Sequence, residues 1–148
     1  MRHTLITLCL LLLLPAAAMA QRGLSIGTIL DGRYRKNPAV TDVQIMGDRL
    51  NEYNLSYYHS LTVTDDEALM QTVCAAFLAD ETKAVDKELT NVGGCLFTGI
   101  YRLTYEGTNR FVFFKDMRHA PHGAKNAVIL IYMEGDTSLK SLQKKFKK

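Results

Sequence analysis

Two histidines stand close together in the last third of the chain, in the order His119, Ala120, Pro121, His122. Imidazole nitrogens bind zinc and copper, and Asp116, three positions before His119, offers a carboxylate oxygen as a further ligand. A stable metal site needs three or four ligands held in place by their neighbours. Two interpretations follow: a metal-binding or metal-dependent loop that uses Asp116, His119 and His122, or an ordinary surface loop. The lack of further ligands nearby in the sequence favours the surface loop.

The chain contains three cysteines, of which Cys9 lies in an apolar N-terminal segment, leaving Cys74 and Cys95. In an oxidising compartment, a Cys74–Cys95 disulfide would close a loop of about 22 residues and stabilise the fold by roughly 3 kcal/mol. A labile bond of this kind would make the chain a redox-responsive module. Both positions also suit small buried apolar residues, so two free thiols are the alternative.

No pattern in the sequence is typical of a catalytic site. His59 alternates with apolar residues in a predicted strand, so we interpret it as a core histidine held by a hydrogen bond rather than a general base. Glu134 and Asp136 flank a glycine, and turn formation and helix capping explain both. Gly93 and Gly94 precede a strand rather than a helix, which is not the pattern of a phosphate-binding loop. We therefore expect no catalytic residues and no cofactor.

The N-terminal segment predicts export. A basic start at Arg2 precedes the apolar core 5–14, and the segment ends in a small-x-small pattern at Ala18 to Ala20. This order is typical of a secretory signal peptide. As a helix the apolar core would span about 15 Å, whereas a bilayer core is about 30 Å thick. We predict a signal peptide over 1–20, cleaved after Ala20, and a mature form that is periplasmic or secreted and has no stable membrane span.

The remaining residues, 21–148, are expected to form one domain. A chain of this length can bury a substantial core by itself. The net charge is only +3, to which Arg2 contributes one, so no nucleic-acid partner is expected. The lysines at 144, 145, 147 and 148 are interpreted as a solvated helix end rather than a contact with an anionic surface.

Alternation of apolar and polar residues, or a run of apolar residues bounded by turns, predicts strands. The expected strands cover residues 40–46, 55–64, 95–105, 110–115 and 127–133. In the second of these, one side carries Leu55, Tyr57, His59, Leu61 and Val63. The turn residues 106–109 predict an antiparallel hairpin.

Helical spacing of apolar residues occurs imperfectly at 24–34 and clearly at 139–146. A capping-box pattern from Thr64 to Glu67 predicts a further helix start. Polar residues at 80–83 interrupt the apolar spacing that follows, so residues 65–92 form either one long helix or two with a break near Asp80.

Together these elements predict an α+β two-layer domain, a mostly antiparallel sheet of about five strands with helices packed on one face. Aromatic residues are concentrated on the predicted strands. The face without helices would then carry either an exposed aromatic patch that marks a ligand or partner surface, or ordinary cross-strand aromatic pairs.

Segments 29–34, 40–45 and 130–135 read Ile-Leu-Asp-Gly-Arg-Tyr, Val-Thr-Asp-Val-Gln-Ile and Leu-Ile-Tyr-Met-Glu-Gly. With these segments the chain resembles small secreted domains of unknown function found in Bacteroidetes-type bacteria. The resemblance covers most of residues 21–148. It implies a periplasmic or surface location and an uncharacterised domain, and it assigns no site residues.

These observations lead us to expect an exported, non-catalytic binding or interaction protein of the cell envelope. Its partner, an unknown envelope protein or a small ligand, would meet an exposed sheet face or a strand edge. The alternatives are a metal-binding or metal-dependent protein that uses the His119 and His122 loop, and a redox-responsive module that uses Cys74 and Cys95.

Overall fold

The structure, a computed structural model, describes residues 23–146. The predicted signal peptide 1–20 and its cleavage site after Ala20 lie outside the described residues. The described part has strands β1 (Val40–Met46), β2 (Leu55–Thr64), β3 (Asp86–Val92), β4 (Cys95–Tyr105), β5 (Thr108–Asp116) and β6 (Ala127–Gly135). It also has helices α1 (Glu67–Glu81) and α2 (Leu139–Phe146), and 3₁₀ segments Ser25–Thr28, Asp48–Tyr53 and Met117–His119.

The strands form one antiparallel sheet in the order β1-β2-β6-β5-β4-β3. This arrangement confirms the α+β class and the antiparallel sheet, with six strands rather than about five. The predicted hairpin after β4 is also confirmed, because Glu106 and Gly107 turn the chain into β5 with positive φ angles of 48° and 77°. The edges of the sheet are β1 and β3.

The sixth strand comes from a segment whose sequence pattern predicts helix. Helix α1 ends at Glu81, and the next residues form β3 rather than a continued or second helix. Almost every side chain of β3 is exposed, so this edge strand lacks the one-sided burial that produces alternation in a sequence. Gly93 and Gly94, which follow this segment, form a two-residue hairpin turn into β4, with φ angles of 59° and 79°.

The expected helix at 24–34 is reduced to the single 3₁₀ turn Ser25–Thr28. Gly27 lies in its middle and disfavours a longer helix. The turn is held by Asp80 of α1, whose side chain is fully buried. The carboxylate of Asp80 accepts hydrogen bonds from the backbone N–H groups of Ser25 at 2.7 Å and Ile26 at 2.8 Å. The turn Ser25–Thr28 is thereby fixed to α1 by a contact that no local sequence pattern indicates.

Helix α1 packs on the larger core. Phe77 stacks on Phe114 with ring centroids 5.0 Å apart and lies 4.7 Å from the ring of Tyr101. The hydroxyl of Tyr101 donates to the carbonyl oxygen of Phe77 at 3.1 Å. A Cβ atom at Gly99 would stand 2.6 Å from Cζ of Phe77. Only glycine therefore allows the aromatic ring to lie this close to β4.

Helix α2 lies on the opposite face, which corrects the expectation that the helices share one face. Leu139 and Leu142 of α2 pack with the second apolar cluster, which includes Ile100, Phe111 and Met133. Neighbouring residues in β5 and β6 are apolar and point to opposite faces of the sheet. Both faces therefore have apolar surface to bury, and each carries a helix.

A β-bulge at the start of β2 decides which face Leu55 occupies. Leu55 pairs with Gly135, while Tyr57 pairs with the preceding residue of β6, so Ser56 is the extra residue. Simple alternation places Leu55 beside Tyr57, but the bulge turns it to the face covered by α2. At this point the backbones of β2 and β6 approach so closely that a Cβ atom at Gly135 would stand 2.2 Å from the carbonyl oxygen of Asn54.

Candidate functional site

A polar group of side chains lies at one end of the sheet face that carries α1. The register pairs His59 with Tyr132 and with Gln44, and pairs Tyr57 with Glu134. Asp42 lies two residues before Gln44 on the same strand, so its side chain points to the same face. We call these six residues, from three neighbouring strands, the His59 cluster.

The imidazole of His59 forms a hydrogen bond at each of its two ring nitrogens. Its Nε2 lies 2.8 Å from Oδ1 of Asp42, and its Nδ1 lies 3.3 Å from the hydroxyl of Tyr57. A carboxylate only accepts hydrogen bonds, so Nε2–H donates to Asp42 and Nδ1 accepts from Tyr57. Burial lowers the pKa of His59 below its ordinary value of 6.5, and this outweighs the opposing effect of the Asp42 carboxylate. The ring is therefore neutral near pH 7.

The two tyrosines of the cluster are poor nucleophiles. The hydroxyl of Tyr132 donates to Oε1 of Glu134 at 2.6 Å, and burial together with this bond raises the pKa of Tyr132. Burial, with the charges of Glu134 and Asp42, raises the pKa of Tyr57 as well. Both phenols therefore keep their protons. The interpretation of His59 as a buried core histidine is confirmed, although its hydrogen bonds form a network rather than a single contact.

The structure brings part of the predicted metal loop together. Nε2 of His119 lies 3.6 Å from Oδ2 of Asp116. Both oxygens of Asp116 accept hydrogen bonds from the guanidinium of Arg118, at 2.9 and 2.6 Å, and Arg118 also pairs with Glu67. Among residues 23–146, no three His, Cys, Asp or Glu side chains are grouped so that they could hold a metal ion. The loop places Asp116 and His119 in an ion-pair cluster, and His122 lies in the exposed part of the loop.

Cys74 and Cys95 are both free thiols, so the proposed disulfide is not formed in this structure. Cys74 is partly buried on α1 and packs against the larger core, whereas Cys95 is exposed at the start of β4. Burial raises the pKa of the Cys74 thiol, and the charge of Asp116 adds to this effect. Cys74 therefore has the protonated, unreactive thiol typical of a structural cysteine.

The face that carries α2 contains an apolar pocket, which sequence reasoning missed. It has a volume of about 330 Å³ and lies between α2, the 3₁₀ segment Asp48–Tyr53 and strands β1, β2 and β6. Its lining residues are Ile45, Leu50, Tyr53, Leu55, Tyr58, Met133, Leu142 and Lys145. We call this the α2 pocket. Its volume and its largely apolar lining are those of a small-molecule site, which typically measures about 300–1,000 Å³.

Only part of the α2 pocket carries a signal in the sequence. Ile45 and Tyr58 are directly paired across β1 and β2, and both fall on the side of those strands away from His59. The alternation of residues in these two strands therefore indicates that their second face carries aromatic and aliphatic side chains. The positions of Leu55 and of α2 depend on the bulge and on the choice of sheet face, and neither is encoded by a local pattern.

The structure contains two further hollows. A pocket of about 110 Å³ borders Gln143 on the other side of the helix, over β3, β4 and β5. A wide open cleft of about 850 Å³ lies at the end of the sheet and shares Leu55 with the α2 pocket. Asparagine, serine, threonine and aspartate side chains line most of this cleft. Of the three hollows, the α2 pocket has the most apolar lining relative to its polar atoms.

Most aromatic side chains of the strands lie in the core rather than in an exposed patch. Tyr101, Phe111, Phe114 and Tyr132 are all fully buried. Tyr58 remains partly accessible because it lines the α2 pocket. The aromatic residues of the strands therefore build both apolar clusters rather than a broad exposed surface.

Among residues 23–146, no helix combines the length and apolar character needed to cross a membrane. The sequence profile of a family of unknown function, DUF6108, matches residues 13–146. No curated protein and no solved structure matches the chain. The chain belongs to the DUF6108 family, which confirms the expectation of an uncharacterised domain.

Proposed function

We propose that this chain is an exported, non-catalytic binding protein that takes a small apolar ligand in the α2 pocket. The observation that carries the proposal is the pocket itself, a concave hollow of about 330 Å³ whose walls are mainly aliphatic and aromatic. Filling it with an apolar group removes that surface from water, which is favourable by roughly 25 cal/mol per Å².

The side chains of the His59 cluster are not activated for chemistry, which favours binding over catalysis as the role of the protein. Its imidazole is buried and bonded at both nitrogens, and Tyr57 and Tyr132 keep their protons. A buried, hydrogen-bonded network of this kind fixes strand register and stiffens the sheet. The cluster thus supports the scaffold on which the pocket on the other face is built.

The export part of the proposal rests on the signal-peptide pattern of residues 1–20 and on the resemblance to secreted Bacteroidetes-type domains. Intact-mass measurement of the protein from its native host tests it. We expect the mass of a chain that begins at Gln21. An uncut chain in the cytosol would contradict export.

Binding is tested with an environment-sensitive apolar dye, Nile red, and its displacement by 1-decanol. Ile45→Trp places a larger side chain at the pocket wall and is expected to lower dye affinity several-fold. Val43→Trp is the matched control, because Val43 lies on the same face of β1 but does not line the pocket and is 41% exposed. The proposal fails if the unaltered protein binds neither Nile red nor 1-decanol. It also fails if Ile45→Trp and Val43→Trp bind Nile red with equal affinity.

A further inference from the structure

One side chain in the wall of the α2 pocket is a cation. Lys145 lies in the last turn of α2, and its Nζ donates a hydrogen bond to the carbonyl oxygen of Glu52 at 3.0 Å. The same nitrogen stands 4.3 Å from the ring centroid of Tyr53, which also lines the pocket. These two contacts hold the ammonium group beside the pocket.

The charge of Lys145 is available to a ligand. An ammonium group has three N–H donors, and the carbonyl of Glu52 accepts only one of these hydrogen bonds. Along the described chain, 23–146, Lys145 takes part in no ion pair within 4.0 Å. The carboxylate of Glu52 interacts with the hydroxyl of Tyr53 and raises the pKa of that phenol.

The rest of the pocket is complementary to hydrocarbon. Ile45, Leu50 and Leu55 form an aliphatic wall, and Met133 and Leu142 close it from β6 and α2. Each methylene group buried there leaves water for apolar surroundings, which strengthens binding. The volume of about 330 Å³ lies at the lower end of the range for small-molecule sites, so it suits one short chain rather than a peptide helix.

We propose that the ligand is a free single-chain amphiphile with an anionic head group, such as a medium-chain carboxylate, whose head pairs with Lys145 while its tail fills the apolar wall. This proposal rests on the proposed function and adds the charge of the ligand. The paired charges gain from the partly apolar surroundings, and the tail supplies most of the affinity.

The test compares three probes with one chain length: decanoate, 1-decanol and decyltrimethylammonium, each below its critical micelle concentration. Calorimetric titration of the full mature chain is expected to rank decanoate first and the cationic probe last. Lys145→Gln is expected to weaken decanoate binding about threefold to fivefold and to leave 1-decanol unchanged. Lys144→Gln is the control, because Lys144 is an exposed neighbour on α2 that does not line the pocket.

The outcomes separate the two proposals. If 1-decanol binds as tightly as decanoate and Lys145→Gln changes neither, the pocket still binds apolar ligands but the charge selectivity is wrong. If no probe binds, the proposed function itself fails. If the chain sediments with phosphatidylglycerol vesicles through Lys145 but does not bind free decanoate, the cation serves a membrane surface and the inference is overturned. Circular dichroism of each variant confirms that α2 is still folded.

Discussion

Oδ1 of Asp42 lies 2.8 Å from Nε2 of His59, and the two side chains are 10% and 1% exposed. The contact joins edge strand β1 to β2, which pairs with β6 inside the sheet. A buried hydrogen bond to a charged group is worth more than one between neutral groups, and a buried donor left without its acceptor is costly. The stability of this edge therefore depends in part on this pair.

Asp42→Ala is expected to lower the free energy of unfolding by about 2 kcal/mol, because Nε2–H of His59 loses its acceptor inside the protein. Chemical denaturation measures the effect. Gln44→Ala is the matched control on the same strand, since the amide nitrogen of Gln44 stands 3.4 Å from Nε2 and its side chain is more exposed. Its cost is expected to stay near 0.5 kcal/mol or less. Equal losses in the two variants would contradict the assignment.

The depressed pKa of His59 predicts that the fold loses stability in mild acid. In the unfolded chain the imidazole takes up a proton near its ordinary pKa of 6.5, whereas burial lowers the pKa in the folded state. The unfolded state therefore binds more protons, so stability is fully present above pH 6.5 and falls as the pH is lowered below that value. Denaturation midpoints between pH 7.5 and pH 5 measure the slope.

His59→Phe removes this titration and serves as the comparison for the pH series. Its stability is expected to depend less on pH over the same range, whatever its absolute value. An NMR titration of the His59 ring provides the direct measurement. A ring that titrates above 6.5 in the folded protein would reverse the predicted sign.

Alternation, or an apolar run bounded by turns, made β1, β2, β4, β5 and β6 predictable from the sequence. The same signal fails in β3, where Leu89 falls three to four residues from Val85 and Val92, a spacing that is also helical. An edge strand with exposed side chains on both faces produces no period of two. Only the pairing with β4 identifies it as a strand.

The same limit applies to the candidate sites. The position of His59 in the core follows from the sequence, but its partner Asp42 is set by the register between β1 and β2. The α2 pocket depends on the bulge at Ser56 and on the side of the sheet that α2 covers. Registers, bulges and the choice of face arise from long-range packing, so no local pattern in the sequence shows them.

Asp80→Ala is expected to detach the 3₁₀ turn Ser25–Thr28 and to cost about 3 kcal/mol, because two backbone N–H groups lose a buried carboxylate. Hydrogen exchange at Ser25 and Ile26 should accelerate together with the loss of stability. Asp66→Ala is the control at the other end of α1, where the Asp66 side chain accepts a hydrogen bond from Leu69 N–H. Loss of that cap is expected to cost about 1 kcal/mol. Unchanged protection at Ser25 in the Asp80 variant would refute the anchoring role.

Gly99→Ala tests the tight packing of α1 on the sheet. The added methyl group would stand 2.6 Å from Cζ of Phe77 and 2.8 Å from Cδ2 of Leu89, so both side chains have to move. Overpacking of this kind costs about 1–3 kcal/mol, measured as a shift of the denaturation midpoint. Phe77→Leu removes the ring edge that the methyl group meets, so the double variant should lose less than the sum of the two single losses. Purely additive losses would show that the methyl group and the ring do not compete for the same space.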